Sequence, residues 1–314
     1  MSKLKKKTII LIFAIIAVAF IFSLFYSFGK KKTVENFFHG SRNIFSQKDD
    51  TKENIARLIT NATENQNGRF AVFIKDLNHQ KTYELNSSEI FPSASLYKLA
   101  VMYKTFDALE SGQIKKDDVV SEKQSVLDNT LSQVEDGDSD TARNVNEENS
   151  KEAIVGYQVD YALSKMITIS DNYSAILLAQ KLGWRETDLL MENEGFGEID
   201  LVSGDGPTVS ARSIGALLEK IYSNKAVSAD ASVQMKELLF GQRVNDRIPK
   251  YLPSFAKVGH KTGELDQIRH DAGIIYGKNS NYIFVFLSET TQPLDASETI
   301  AKLSADIFQV LEKD

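Results

Sequence analysis

The chain has 314 residues, of which 42% are hydrophobic and 25% charged, enough to bury one large core and too apolar to stay disordered in bulk. A formal charge of -6 and a pI near 5.4 argue against a nucleic-acid partner, which needs concentrated basic surface. Cysteine is absent, which excludes disulfides, thiol catalysis, thiolate metal sites and a lipidated cysteine; His39, His79, His260 and His270 are scattered without paired spacing, so neither metal nor cofactor is expected.

Thr8 to Gly29 runs without a charge and is dominated by Ile, Leu, Phe, Ala and Val. A helix of that extent reaches about 33 Å, sufficient to cross a bilayer core. It lacks the polar stripe of a buried soluble helix, and no small-x-small cleavage site follows it. The expectation is an uncleaved transmembrane anchor over 1–33, with the N-terminus inside on a small excess of flanking lysine. A polar tether over 34–50 and a soluble domain over 51–314 follow.

The soluble domain opens with a helical pattern at 53–63. Residues 69–77 then alternate as a strand, with Phe70, Val72 and Ile74 set against Ala71, Phe73 and Lys75. Asn78-His79-Gln80 reads as a turn into a second strand at 81–85, which makes His79 an exposed hairpin residue. From Ser95 the period becomes helical through Leu99, Met102, Phe106 and Leu109, with Gly112 as the stop. Residues from about 132 to 152 are acidic and apolar-poor, a solvated insertion. Helical patterns return at 159–169, 174–182, 186–191, 211–221 and 231–239; strands follow at 256–261, 272–276 and 282–287, and an amphipathic helix closes the chain at 297–311. Strands at both ends with helices between them imply an α+β fold. Its antiparallel sheet is formed by both chain ends with flanking helices, beside a central all-helical lobe.

Ser95-Leu96-Tyr97-Lys98 sets a hydroxyl and an amine three residues apart, on one face at the start of a helix. Lysine can take the serine proton only if burial, a second cation or a helix N-terminus holds its pKa down, and the same N-terminus favours a developing oxyanion. Ser170-Asp171-Asn172 and Lys261-Thr262-Gly263 are rarer triplets, and their order after the first removes coincidence. Each has a bland alternative: Ser95 as a helix cap, Lys261-Thr262-Gly263 as a strand entering a turn, and Asp171 as a cap, the role assigned to it here.

The three motifs together resemble those of class A β-lactamases and the related penicillin-binding proteins, S-x-x-K, S-D-N and K-T-G in that order. Leu99-Ala100-Val101-Met102, Met166-Ile167-Thr168-Ile169 and Arg269-His270-Asp271-Ala272-Gly273 extend the likeness, which runs from about Arg69 to the C-terminus. The resemblance implies that Ser95 is acylated and that Lys98 accepts its proton. By the same likeness Ser170 relays a proton to the departing nitrogen, and Asn172 holds Lys98 and the substrate amide. Lys261 supplies positive potential and holds Ser170; Thr262 binds the substrate carboxylate; Gly263 leaves room along the strand edge. The oxyanion hole would be the backbone N–H groups of Ser95 and Glu264.

The chain departs from the family at the omega loop, where Gly195 to Val209 is short. Glu198-Ile199-Asp200-Leu201-Val202 keeps only the first and fourth letters of E-x-x-L-N, with Asp200 and Asp205 as the other carboxylates nearby. A β-lactamase that hydrolyses the β-lactam amide is the first expectation. A D-alanyl-D-alanine carboxypeptidase or transpeptidase with slow deacylation is the second, and a non-catalytic sensor the third. The implied partner is a small-molecule β-lactam or a peptidoglycan stem peptide, met by an extracytoplasmic domain on a single-pass membrane anchor.

Overall fold

The computed structural model describes residues 51–136, 153–202, 204 and 206–313; the expected anchor and tether, and most of the acidic insertion, lie outside the described residues. No helix among the described residues is long and apolar enough to cross a membrane. Helix α1 (51–63) leads into strands β1 (Arg69–Asp76), β2 (Lys81–Leu85) and β3 (Ile90–Pro92). A 3₁₀ turn, Ala94–Tyr97, runs straight into helix α2 (Lys98–Glu110). Then come β4 (Val119–Lys123), α3 (Gln124–Asp136), β5 (Ile154–Gln158), α4 (Val159–Thr168), α5 (Asn172–Leu182) and α6 (Trp184–Asn193). The rest comprises β6 (Thr208–Ser210), α7 (Ala211–Tyr222), α8 (Ala229–Phe240), β7 (Lys257–Glu264), β8 (Arg269–Tyr276), β9 (Asn281–Glu289) and α9 (Pro293–Leu311).

The main sheet has the order β2-β1-β9-β8-β7, and all its pairs are antiparallel. Two strands come from the start of the domain and three from its end. Side-chain alternation divides the core into two layers. Phe70, Val72 and Ile74 on β1, with Tyr282, Phe284 and Phe286 on β9, pack with Ile55 and Ile59 of α1 and Ile300, Leu303, Ile307 and Leu311 of α9. The intervening residues Ala71, Phe73, Ile283, Val285 and Leu287 face the larger layer that holds α2, α4, α5, α7 and α8. Gly215 lets α7 lie directly on the sheet, because a Cβ there would stand 2.3 Å from the Phe73 ring.

The expected sheet from both chain ends and the central helical lobe are both present. The differences are local. The helix expected from Ser95 begins as a 3₁₀ turn. The short pairs β3–β6 and β4–β5 have no counterpart among the expected strands, being three to five residues long with little alternation. The insertion expected from about 132 starts inside α3. The Lys261-Thr262-Gly263 triplet lies within β7 rather than past its end, because Lys261 to Glu264 pair in register with Ala272 to Arg269.

Candidate active site

Ser95 sits in the 3₁₀ turn, Lys98 opens α2, Ser170 and Asn172 lie at the start of α5, and Lys261 lies on β7, an edge strand of the sheet. Three distant stretches of chain, 95–98, 170–172 and 261, thus meet at one point. Lys98 Nζ is 3.0 Å from Ser95 Oγ, 2.8 Å from the Ser170 carbonyl, 3.2 Å from Ser170 Oγ and 2.5 Å from Asn172 Oδ1. From the other side Lys261 Nζ donates to Ser170 Oγ at 2.8 Å and to the Thr262 carbonyl at 2.7 Å. The polar chain Ser95–Lys98–Ser170–Lys261 is continuous.

Local sequence explains the placement. Asp171 caps α5 by accepting from the Ser174 N–H at 2.8 Å and the Ser174 hydroxyl at 2.5 Å, and Lys165 Nζ lies 3.4 Å from its second oxygen. These partners hold the Asp171 carboxyl below its usual range against the opposing effect of burial, the largest single contribution. Ser170 adopts φ +58°, a left-handed conformation uncommon for serine, which turns its carbonyl and hydroxyl together onto Lys98. Ala94 at φ +44° does the same for the nucleophile turn. Thr262 follows Lys261 on β7, paired in register with Asp271. Gly263 is needed where it stands: a Cβ would meet Ala94 Cβ at 3.3 Å and His270 at 3.1–3.2 Å.

Lys98 and Lys261 are both fully buried. Burial pushes the Lys261 amine well below the ordinary lysine range, and the charges of Lys98 and Arg247 add to this against Asp271. The four oxygens around Lys98 define a possible proton path. An ammonium has three donors, the Ser170 carbonyl and Asn172 Oδ1 only accept, and the two hydroxyls can donate. A neutral amine that donates to the two amide oxygens and accepts from Ser95 O–H fits the same distances and is ready to take that proton.

Glu264 turns its side chain to Arg247 Nη2 at 2.6 Å and Arg269 Nη2 at 3.2 Å. Arg247 is almost wholly buried and was not singled out from the sequence; a lone arginine in the loop after α8 carries no local signal. Behind β7, His260 Nδ1 meets Asp271 Oδ1 at 2.8 Å, and the other Asp271 oxygen accepts from the Ile248 N–H at 3.0 Å. Glu198 does not reach this cluster by any hydrogen bond among the described residues. It accepts from Ser210 Oγ at 2.5 Å and Ser213 Oγ at 3.3 Å, and Ser210 Oγ accepts in turn from the Ser213 N–H at 3.0 Å, so Glu198 completes the cap of α7. Asp200 pairs with Thr208 through its backbone, and Asp205 lies outside the described residues. His79 is a half-exposed turn residue, 2.8 Å from Asp76. No group of three or more His, Cys, Asp or Glu side chains suited to a metal occurs among the described residues.

The fold and this serine–lysine–serine–lysine chain define a serine hydrolase of the β-lactamase-like class. The Beta-lactamase enzyme family matches residues 50–311, and the chain belongs to it. Among solved structures it is similar to PBP-A at 20% identity, over 84% of this chain and 97% of that one, with a TM-score of 0.69. A point mutant of PBP-A, an acyl-enzyme complex with penicillin G, is similar over 85% and 97% at the same identity and a TM-score of 0.69. A representative class A β-lactamase from Bacteroides cellulosilyticus DSM 14838 is similar at 18% identity, over 84% and 99%, with a TM-score of 0.69. No curated protein matches.

Proposed function

We propose that the protein reacts with β-lactam amides through Ser95 and forms a long-lived acyl-enzyme, as a penicillin-binding peptidase does. The observation that carries acylation is the 3.0 Å approach of Lys98 Nζ to Ser95 Oγ within a buried polar chain that ends at Lys261. Ser95 Oγ attacks the carbonyl carbon as its proton passes to Lys98 Nζ. The oxyanion is held by the backbone N–H groups of Ser95 and Glu264. The C–N bond then breaks as Ser170 Oγ gives its proton to the departing nitrogen, and Ser170 is reprotonated from the lysine pair. Asn172 orients Lys98 and the substrate amide, while Lys261 and Thr262 receive the substrate carboxylate, with Gly263 keeping the strand edge open.

Slow deacylation is favoured by the position of Glu198. Its carboxylate is engaged with two serine hydroxyls at the cap of α7 rather than with Lys98 or Ser170, which leaves it poorly disposed to activate a water. Efficient β-lactam hydrolysis is the second reading, supported by membership of the family itself. A chromogenic cephalosporin separates them. One equivalent released in a burst, followed by a negligible steady rate, fits the proposed branch; sustained turnover that is lost in Ser95→Ala supports the β-lactamase. The charge-free run from Thr8 to Gly29 supports, as a further proposal, a single-pass anchor and an extracytoplasmic domain that meets β-lactams or peptidoglycan stem peptides.

A further inference from the structure

The nucleophile turn is held in an unfavourable backbone state. Ala94 at φ +44° is an L-residue in the left-handed region, a conformation that persists only where the surroundings over-determine it. Part of the restraint is local: Ser93 N–H donates to the Pro207 carbonyl at 2.8 Å, Leu96 N–H to the Ser93 carbonyl at 2.9 Å, and Ser93 Oγ to the Ala94 carbonyl at 2.9 Å. A further tie to the sheet runs through one side chain. His270 on β8 is fully buried; its Nε2 lies 2.9 Å from the Pro92 carbonyl, two residues before Ala94. Its Nδ1 lies 3.0 Å from the backbone nitrogen of Ser288 on β9. The ring packs edge-on to Phe91, and beside it a Cβ added at Gly263 would meet both the His270 side chain, at 3.1–3.2 Å, and Ala94 Cβ, at 3.3 Å.

A carbonyl only accepts and a peptide N–H only donates, so these two contacts are met together when Nε2 carries the proton and Nδ1 accepts. We propose that His270 is a positioning residue for Ser95, a neutral imidazole strut that ties the Pro92–Ser95 turn to β8 and β9 and fixes the nucleophile opposite Lys98. Burial, which pushes its pKa down to about 4, keeps the ring in the neutral form that this geometry needs. The inference rests on acylation at Ser95 as proposed above.

The test compares two conservative variants of the full chain by the rate of β-lactam acylation at saturating ligand, with thermal melting beside it. In His270→Gln the side-chain amide N–H replaces Nε2–H and keeps the bond to Pro92. In His270→Asn only the acceptor for Ser288 is kept. Acylation in His270→Gln is expected within about threefold of the native protein, and in His270→Asn at least tenfold slower, with similar losses of melting temperature in both. Equal acylation in the two variants, or slowing that follows melting temperature alone, overturns the proposal. Nitrogen NMR of the native protein gives an independent reading that does not depend on how the variants fold. A single Nε2–H tautomer at pH 7 supports the strut; an Nδ1–H tautomer or an imidazolium contradicts it. If the native protein takes up no β-lactam, acylation at Ser95 fails as a reading, while the tautomer still tests the strut.

Discussion

Lys98 and Lys261 are two buried amines that share one hydroxyl, Ser170 Oγ, at 3.2 and 2.8 Å, and each disfavours the other's charge. Removing either end of the chain leaves Ser170 with one amine. Lys98→Ala deletes the proton acceptor of Ser95 and should slow acylation by about 10²–10⁴-fold, the usual worth of a positioned base; stopped-flow acylation of the purified variant measures it. His270 makes a prediction about stability. With burial holding its pKa down at about 4 against the ordinary histidine value of 6.5, the unfolded chain binds a proton between those pH values that the folded protein does not. Stability therefore rises with pH through that window, by up to about 3 kcal/mol. Urea titrations at pH 4 and pH 7 should show a gain in the native protein that is smaller in His270→Gln by the share of this residue. Of the site residues, the motif positions were legible because their chemistry fixes residue type and order. Arg247 and the strut role of His270 were not, since both depend on partners brought close only by the sheet.

Short elements set the site's geometry more than long ones do. Strand β3 and the 3₁₀ turn after it present Ser95, yet each is three or four residues long, too short for a period to show in the sequence. Helices and long strands were legible because their apolar alternation repeats, as in Phe70 to Ile74 on β1. At the start of α7 the cap built by Ser210 and completed by Glu198 fixes the end of the loop that runs beside Ser93. Glu198→Ala should cost about 1 kcal/mol of stability, a typical value for a lost cap interaction, while the acylation rate stays within twofold. A large fall in acylation would place Glu198 in the chemistry instead. Asp171→Ala tests the other cap: it removes the acceptor of Ser174 N–H at the start of α5 and should both destabilise by a similar amount and loosen Asn172 from Lys98, read as slower acylation.

Across the whole domain the reacting groups come from stretches far apart in sequence: Lys98 and Ser170 are separated by 72 residues, and Ser170 and Lys261 by 91. Such a site exists only once β1 from the start of the domain has joined β9 from its end. The α+β plan of one sheet from both ends was legible for this reason, from strand patterns alone. Trp184, the sole tryptophan, stacks on Tyr97 at 5.7 Å, between the nucleophile and its lysine in sequence. Its fluorescence should report the site, and in urea it should change together with far-UV circular dichroism and with loss of acylation, as one cooperative transition; an earlier fluorescence transition would show the site to unfold by itself. The most direct test of the whole account is mass spectrometry of the full chain after exposure to benzylpenicillin, followed by peptide mapping. One penicilloyl adduct on the peptide that carries Ser95, absent from Ser95→Ala, is the result predicted; an unmodified native protein, or an adduct that survives in Ser95→Ala, contradicts it.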